Sequence, residues 1–134
     1  YRILTDAVNI KNAFIINIGV DFEISILPNY NSNDVLLKAI DAVQKFFDID
    51  RWQINQPIMK SDILNTIANV KGVQSVINVI VSNLYDSDMG YSGNVYDINH
   101  ATRKGIIYPS MDPSIFEVRY PDLDIQGRVV PFVI

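Results

Sequence analysis

The sequence has no cysteine and only one histidine, His100, among its 134 residues. The absence of cysteine excludes a disulfide scaffold and a zinc site built on thiolates. No apolar run approaches the roughly 18 residues of a membrane-spanning helix, and no basic segment followed by an apolar one opens the chain. We therefore expect neither a membrane span nor a signal peptide. His100 lies in a stretch without periodicity, so we expect a surface or interface position for it rather than a Ser-His-Asp triad.

Charged residues are scarce as well. They make up 19% of the chain, and 11 Lys and Arg against 15 Asp and Glu leave a net charge of −4. Binding to nucleic acid or to an anionic membrane needs a basic surface, so this balance argues against both partners. Hydrophobic residues amount to 49%, which argues against disorder. The length suits one domain with a proper core, and residues 1–134 are predicted to form a single domain.

The strongest pattern lies between Phe14 and Leu27, where apolar and polar positions alternate. Because side chains alternate across a strand, this spacing places an apolar stripe on one face and polar residues, including Asp21 and Glu23, on the other. A helix is excluded, since positions three and four apart do not share a character. The segment is therefore predicted to be a long strand. Its apolar even positions are Phe14, Ile16, Ile18, Val20, Phe22, Ile24 and Ile26.

Two helices are predicted after this strand. The first runs to about Asp48 with Asn31, Ser32 or Asn33 as its cap, because apolar residues recur there at spacings of three, four and seven. The second is predicted to begin at a Ser61 cap and to be closed by Gly72.

Three further strands complete the prediction. A short edge strand is expected at 52–54 before Pro57, and a strand at 73–82 that is apolar on both faces is expected at the centre of the sheet. A C-terminal strand is expected at 115–120, where apolar and charged residues alternate. Together these elements predict an α+β fold, a two-layer sandwich with both helices on one face of a small sheet.

Tyr85–Pro113 has no hydrophobic period and is rich in Tyr, Gly, Asn, Asp and Ser. So long an irregular segment is usually functional or disordered, and tyrosine supplies rigid contact area with a polar tip. We therefore divide the domain into a core (12–84), an interface loop (85–113) and a C-terminal strand and tail (114–134). The predicted interface residues are Tyr85, Tyr91, Tyr96, Tyr108, Phe116, Val118, Tyr120 and Phe132.

Candidate chemistry is sparse in this sequence. Asp86–Gly90 begins like a calcium loop, but glycine stands at position five and tyrosine at position six, so the pattern fails. Asp122 and Asp124 are predicted to flank a turn at Pro121 rather than to act as an acid/base pair. No catalytic residue, metal site or cofactor is predicted, and an enzyme is not expected. The alternative is a ligand- or glycan-binding module in which Tyr91, Tyr96 and Tyr108 form a stacking platform.

A run of residues from the short strand into the strand at 73–82 has a recognisable order. It consists of Ile54, Gln56–Ile58, Ser61–Ile63, Ile67, Val70, Gly72–Val73 and Ser75–Val76. This order resembles the C-terminal segment of the baseplate J-like family of contractile phage tails, and the resemblance covers roughly residues 14–82. Residues 101–130, with Gly105–Pro109 and Phe116–Pro121, are similar to the C-terminal end of T4-like baseplate wedge subunits of the gene product six type.

This resemblance implies a structural role. It implies homodimers, a ring of wedges around the baseplate hub, contacts with other baseplate wedge proteins, and a place in the virion tail after assembly in the host cytoplasm.

The chain starts at Tyr1 rather than Met and its last six residues are almost wholly apolar, so we expect it to be the C-terminal domain of a larger protein. A closed ring of dimers would need two distinct contact patches. We expect one on Tyr85–Pro113 and the other on the C-terminal strand and tail.

Overall fold

The computed structural model describes residues 14–48, 52–110 and 113–130. Within these ranges the chain forms a four-stranded sheet, a three-stranded sheet and four α-helices, which confirms the predicted small α+β sandwich. The strands are β1 (Phe14–Ile26), β2 (Ile58–Met59), β3 (Val73–Asn83), β4 (Thr102–Arg103), β5 (Ile106–Ile107), β6 (Ser114–Glu117) and β7 (Ile125–Val129). The helices are α1 (Ser32–Phe46), α2 (Lys60–Ala68), α3 (Ile98–Ala101) and α4 (Pro121–Asp124).

Strand β1 lies at the centre of the larger sheet. Its residues 18–26 pair with β3 in antiparallel orientation. Its other edge is shared by two parallel strands, β6 along residues 14–17 and β7 along residues 20–24. Helix α4 occupies the step from β6 to β7. One long strand therefore hydrogen-bonds three others, and both of its edges are used.

The even-numbered side chains of β1 form the floor of the core, as the alternation predicts. From Ile16 to Ile24 these side chains are at most 2% exposed, whereas Phe14 at the start of the strand is 39% exposed. Helices α1 and α2 cover this face with Val35, Ala39, Val43, Ile63 and Ile67, all of which are buried. Burial of each large aliphatic or aromatic side chain contributes about 1.5–3 kcal/mol before its loss of conformational entropy is counted.

The predicted cap of the first helix is confirmed. Asn31 Oδ1 accepts hydrogen bonds from the amides of Asn33 and Asp34, at 3.0 and 3.2 Å. The predicted Ser61 cap is wrong, because α2 begins at Lys60 and the residue before it, Met59, makes no side-chain cap bond. Ser61 lies inside the first turn of α2.

Gly72 stands in the tight turn between α2 and β3. Its φ is +101°, a backbone conformation that favours glycine, and a Cβ there would lie 2.6 Å from Val35 Cγ2. The residue therefore lets the chain turn directly against α1.

The prediction that the strand at 73–82 is central is wrong, because β3 lies at an edge of the sheet with β1 as its neighbour. The sequence pattern misleads because β3 carries two bulges. The register with β1 skips Gln74 and Ile77, so Val76 falls on the same face as Val79 although the two are three residues apart. Ile77 and Ile80 are left half exposed.

The predicted edge strand at 52–54 does not form. Trp52 is instead 7% exposed, and its amide donates to Asp48 O at 3.1 Å. The short strand comes later, as β2, and belongs to the smaller sheet, where it pairs with β5. Its sequence signal is weak because two residues are too few to display an alternation.

The prediction of an irregular loop at 85–113 is also wrong in part. The segment contains a 3₁₀ turn at Ser87–Met89, helix α3 and the hairpin of β4 and β5. Lys104 and Gly105 form the hairpin loop and both have positive φ, as a type I′ turn requires. Lysine is an unusual residue at that position, so the turn signal in the sequence is weak.

The C-terminal strand is shorter than predicted and is followed by a second one. Strand β6 ends at Glu117, and β7, which the sequence pattern does not predict, pairs with the middle of β1. Its alternation is interrupted by Gly127, where the ring of Phe22 fills the space that a side chain would take. Residues 131–134 of the predicted tail lie outside the described ranges.

We predict that Gly127→Ala lowers the free energy of unfolding by about 1–3 kcal/mol, because overpacking a filled core forces neighbours out of position. A Cβ at this position would lie 2.6 Å from Phe22 Cε1 and 3.0 Å from Leu36 Cδ1. Urea denaturation measures the change. The control Gln126→Ala, on the opposite face of the same strand, should change stability by about 0.5 kcal/mol or less. Equal effects of the two substitutions would contradict the packing described here.

Candidate functional site

The segment after β3 is held against β1 by side-chain amides. Asn17 is 1% exposed, and its Nδ2 donates to Glu117 Oε1 at 2.7 Å while its Oδ1 accepts from the amide of Ser92 at 2.7 Å. Ser92 Oγ and Asn94 Nδ2 both donate to Ile15 O, at 2.8 and 2.7 Å. These bonds satisfy polar groups at the end of β1 that β3 does not reach. The segment around residues 92–94 is therefore an ordered part of the domain.

A second set of contacts joins the same segment to the C-terminal region. Tyr91 Oη donates to Asp124 Oδ1 at 2.6 Å, and the amide of Tyr120 donates to Asp124 Oδ2 at 3.1 Å. The rings of Tyr91 and Tyr120 meet edge to face with centroids 5.5 Å apart. We call Tyr91, Tyr120 and Asp124 the tyrosine latch. Gly90 has a positive φ and leaves room for the Tyr120 hydroxyl, which a Cβ would overlap.

The latch determines the ionisation of its phenol. The hydrogen bond to Asp124, helped by burial and by the charge of the carboxylate, raises the pKa of Tyr91 from 10.0 to about 12. The carboxylate oxygens of Asp124 are both occupied, and the residue is 8% exposed. Asp124 thus serves the fold by joining two parts of the backbone.

A groove lies beside the hairpin and includes two of the predicted interface residues, Tyr96 and Tyr108. Its volume is about 610 Å³, and it is lined by Val95, Tyr96, Asp97, His100, Ala101, Arg103, Tyr108 and Pro109. Tyr96 Oη donates to Tyr108 O at 2.6 Å, and burial raises the pKa of Tyr96. Asp97 Oδ1 accepts from the amide of His100 and so caps α3. The lining therefore combines two aromatic rings with the side chains of His100 and Arg103.

The predicted interface residues fall into three groups. Tyr85 and Tyr108 are 52% and 44% exposed and can meet another molecule. Tyr91, Tyr96, Val118 and Tyr120 are partly buried. The predicted role of Phe116 is wrong: it is 1% exposed and packs in the core, since the register of β6 places it beside the buried Ile16 of β1.

Phe132 lies outside the described residues. The predicted platform of three tyrosines is only partly formed, because Tyr96 and Tyr108 share the groove whereas Tyr91 lies in the tyrosine latch.

The sequence places Asp21 and Glu23 on the surface opposite the two large helices but does not indicate that this surface is a site. We call it the outer sheet face, and it is lined by Asp21, Glu23, Asn78, Ile80, Gln126 and Arg128. Glu23 and Arg128 form an ion pair there, and Ile80 is 51% exposed. Two sequence signals bear on it: the polar positions of β1, which predict an outward face, and the apolar second face of β3, on which the prediction of a central strand rests.

Two kinds of feature are absent from the described residues. No group of three or more His, Cys, Asp and Glu side chains within these ranges could hold a metal ion. No helix in the same part of the chain has the length and apolar character to cross a membrane. Comparison of the sequence with protein-family models finds no match, and comparison with curated proteins finds none either.

We predict that Tyr91→Phe lowers the free energy of unfolding by about 1–3 kcal/mol at neutral pH, because it removes a hydrogen bond to a carboxylate. The pKa of Tyr91 is higher in the folded chain than in the unfolded one, so this stabilisation is complete below pH 10.0 and is lost as the pH rises through about 12. The difference between wild type and variant should shrink over that window. Urea denaturation at several alkaline pH values measures it.

The matched control for the latch is Tyr85→Phe, which removes a hydroxyl from an exposed tyrosine in the same segment. It should leave both the stability and its pH dependence unchanged. A Tyr91→Phe effect that does not vary across the alkaline window would contradict the assignment of the phenol as donor to Asp124.

Proposed function

We propose that this chain is a structural domain of a contractile-phage tail baseplate, part of a wedge subunit that forms homodimers and contacts between wedges. The resemblance to baseplate J-like and T4-like wedge proteins supports this proposal. The main structural support for it comes from the segment at 85–108, which is ordered and exposes apolar side chains. That segment is fixed to the sheet by hydrogen bonds that Ser92 and Asn94 donate to β1, yet it presents large apolar side chains to solvent. These are Tyr85, Met89, Val95 and Tyr108, which are 44–68% exposed.

Exposed apolar side chains on an ordered segment are typical of a protein–protein contact. An ordered surface binds with a smaller loss of conformational entropy than a flexible one. Two acids near this surface are already engaged, since Asp97 caps α3 and Asp124 accepts the hydrogen bonds of the tyrosine latch. In this proposal the segment at 85–108 contacts neighbouring wedge proteins, and a separate surface joins two copies of the chain.

Sedimentation equilibrium of the 134-residue chain tests the self-association. We predict a reversible dimer at micromolar concentration, with a mass that falls to the monomer on dilution. A monomer at every concentration up to several hundred micromolar would contradict the proposal.

Immunogold labelling tests the location independently. An antibody raised against the chain should label the baseplate end of tails in purified particles of a phage that encodes it. Labelling of another structure, or of none, would contradict the baseplate assignment while leaving any self-association in place.

A second candidate function, binding of a sugar or another small ligand, is favoured by the groove beside the hairpin. Its volume of about 610 Å³ is typical of small-molecule sites, and Tyr96, Tyr108 and Arg103 offer stacking and hydrogen bonding. An NMR titration with a panel of mono- and oligosaccharides tests this function. Saturable shifts at the groove, abolished by Arg103→Ala but not by Arg119→Ala, would support it, and their absence would exclude sugars of the panel as ligands.

A further inference from the structure

We propose that the outer edge of β3 is a self-pairing surface, through which two copies of the chain join in antiparallel register to form one continuous sheet. This inference rests on the proposed function and names the surface that its homodimer uses. The sequence pattern predicts contact patches on the loop and the tail. The strand order instead leaves this edge of β3 unpaired, which makes it the surface suited to a second copy.

The first observation is the composition of the strand. Strand β3 reads VQSVINVIVSN and contains no charged residue, no proline and no glycine. Edge strands of soluble proteins usually carry lysine, proline or inward charges that prevent pairing with another chain. The two bulges of β3 are confined to its first half, at Gln74 and Ile77, which leaves Asn78–Asn83 as a regular strand. This half of the edge therefore carries none of the charges, prolines or bulges that prevent pairing.

The second observation is the direction of the backbone groups. The amide of Leu84 donates to Asn17 O at 2.8 Å, which marks positions 84 and 17 as a hydrogen-bonded pair. Such pairs alternate along an antiparallel ladder, so Ile80 and Ser82 bond to β1. Val79 and Val81 consequently direct their amides and carbonyls away from β1. Among the described residues, no strand lies on that side of β3.

The third observation is self-complementarity. A two-fold axis at Ile80 places Val79 opposite Val81 of the second copy, so that the outward groups of both copies bond to each other. Ile80 then faces its own equivalent in a position where side chains approach closely. On the same face Asn78 lies opposite Ser82, and polar residues meet polar residues. A shift of this axis by one residue would instead place Ile80 opposite Ser82 and Val79 opposite Asn83.

A second copy is the occupant that these observations favour. The edge offers backbone groups, one half-exposed isoleucine and no charge, so a charged partner strand would find no side chain of opposite sign on it. The same chain supplies an edge of identical character, and two-fold pairing closes the contact so that no fibre forms. Pairing of the two β3 edges would bury additional surface and leave the core between β1 and the helices α1 and α2 unchanged.

Disulfide trapping tests the register, and the absence of native cysteine makes single-cysteine variants unambiguous. In the Ile80→Cys variant the Cβ atoms of the two introduced cysteines would lie about 4.5–5.5 Å apart, which is close enough for a disulfide after small adjustments. Ser82→Cys is the matched control on the same strand and face, since its two copies would be separated by roughly 13 Å along the ladder. We expect rapid oxidation of the Ile80→Cys chain to a covalent dimer, at least tenfold faster than for Ser82→Cys.

The reversible dimer gives a second readout. Ile80→Lys should raise the dimer dissociation constant at least tenfold, because it brings two like charges together. Leu37→Lys, at a residue of α1 that is 65% exposed, should leave that constant unchanged. Both variants keep the core intact, so circular dichroism should show the same fold for each.

The outcomes separate the two proposals. Fast trapping at position 80 with loss of the dimer in Ile80→Lys supports edge pairing. A dimer that forms but traps no faster at 80 than at 82, or that survives Ile80→Lys, overturns edge pairing and leaves the proposed function standing. A chain that is monomeric at all concentrations overturns both.

Discussion

The structure depends on the alternation of side chains along β1. Ile16, Ile18, Val20, Phe22 and Ile24 supply one buried face, and the backbone of the same strand bonds to β3 on one edge and to β6 and β7 on the other. A shift of one residue in any of these pairings would move the apolar side chains to the outer sheet face, which is why the register is strongly determined. Both large helices and the C-terminal strands take their positions from this strand.

The polar residues of β1 and its neighbours hold the irregular parts of the chain in place. Asn17 joins β6 to the segment at 85–108, and the tyrosine latch ties that segment to α4. Buried amide and carboxylate groups are costly unless they are paired, so each of these bonds favours a single arrangement of the segment. The segment therefore presents a defined surface although more than half of its residues lie outside helices and strands. This combination suits a domain that docks against other proteins.

The fold class could be predicted from the sequence because its two strongest signals, the alternation of β1 and the capped apolar face of α1, are local. The errors arise where tertiary contacts override a local pattern. The bulge at Ile77 brought Val76 and Val79 to one face of β3, and close contact with Phe22 required a glycine inside β7. The site was harder to predict, since Tyr91 and Asp124 are 33 residues apart and neither has a sequence signature. The exposure of Tyr108 agrees with its prediction as a surface residue, whereas the burial of Phe116 could not be predicted from its alternating segment.

Amide hydrogen exchange tests the central role of β1 most directly. A strand that is bonded on both edges and covered on its apolar face can exchange its amides only when the whole domain unfolds. We predict that the amides of residues 18–24 exchange last, with a free energy of opening equal to that of global unfolding. Exchange of these amides through a smaller opening, while α1 or the hairpin of β4 and β5 stays protected, would contradict the central role of β1.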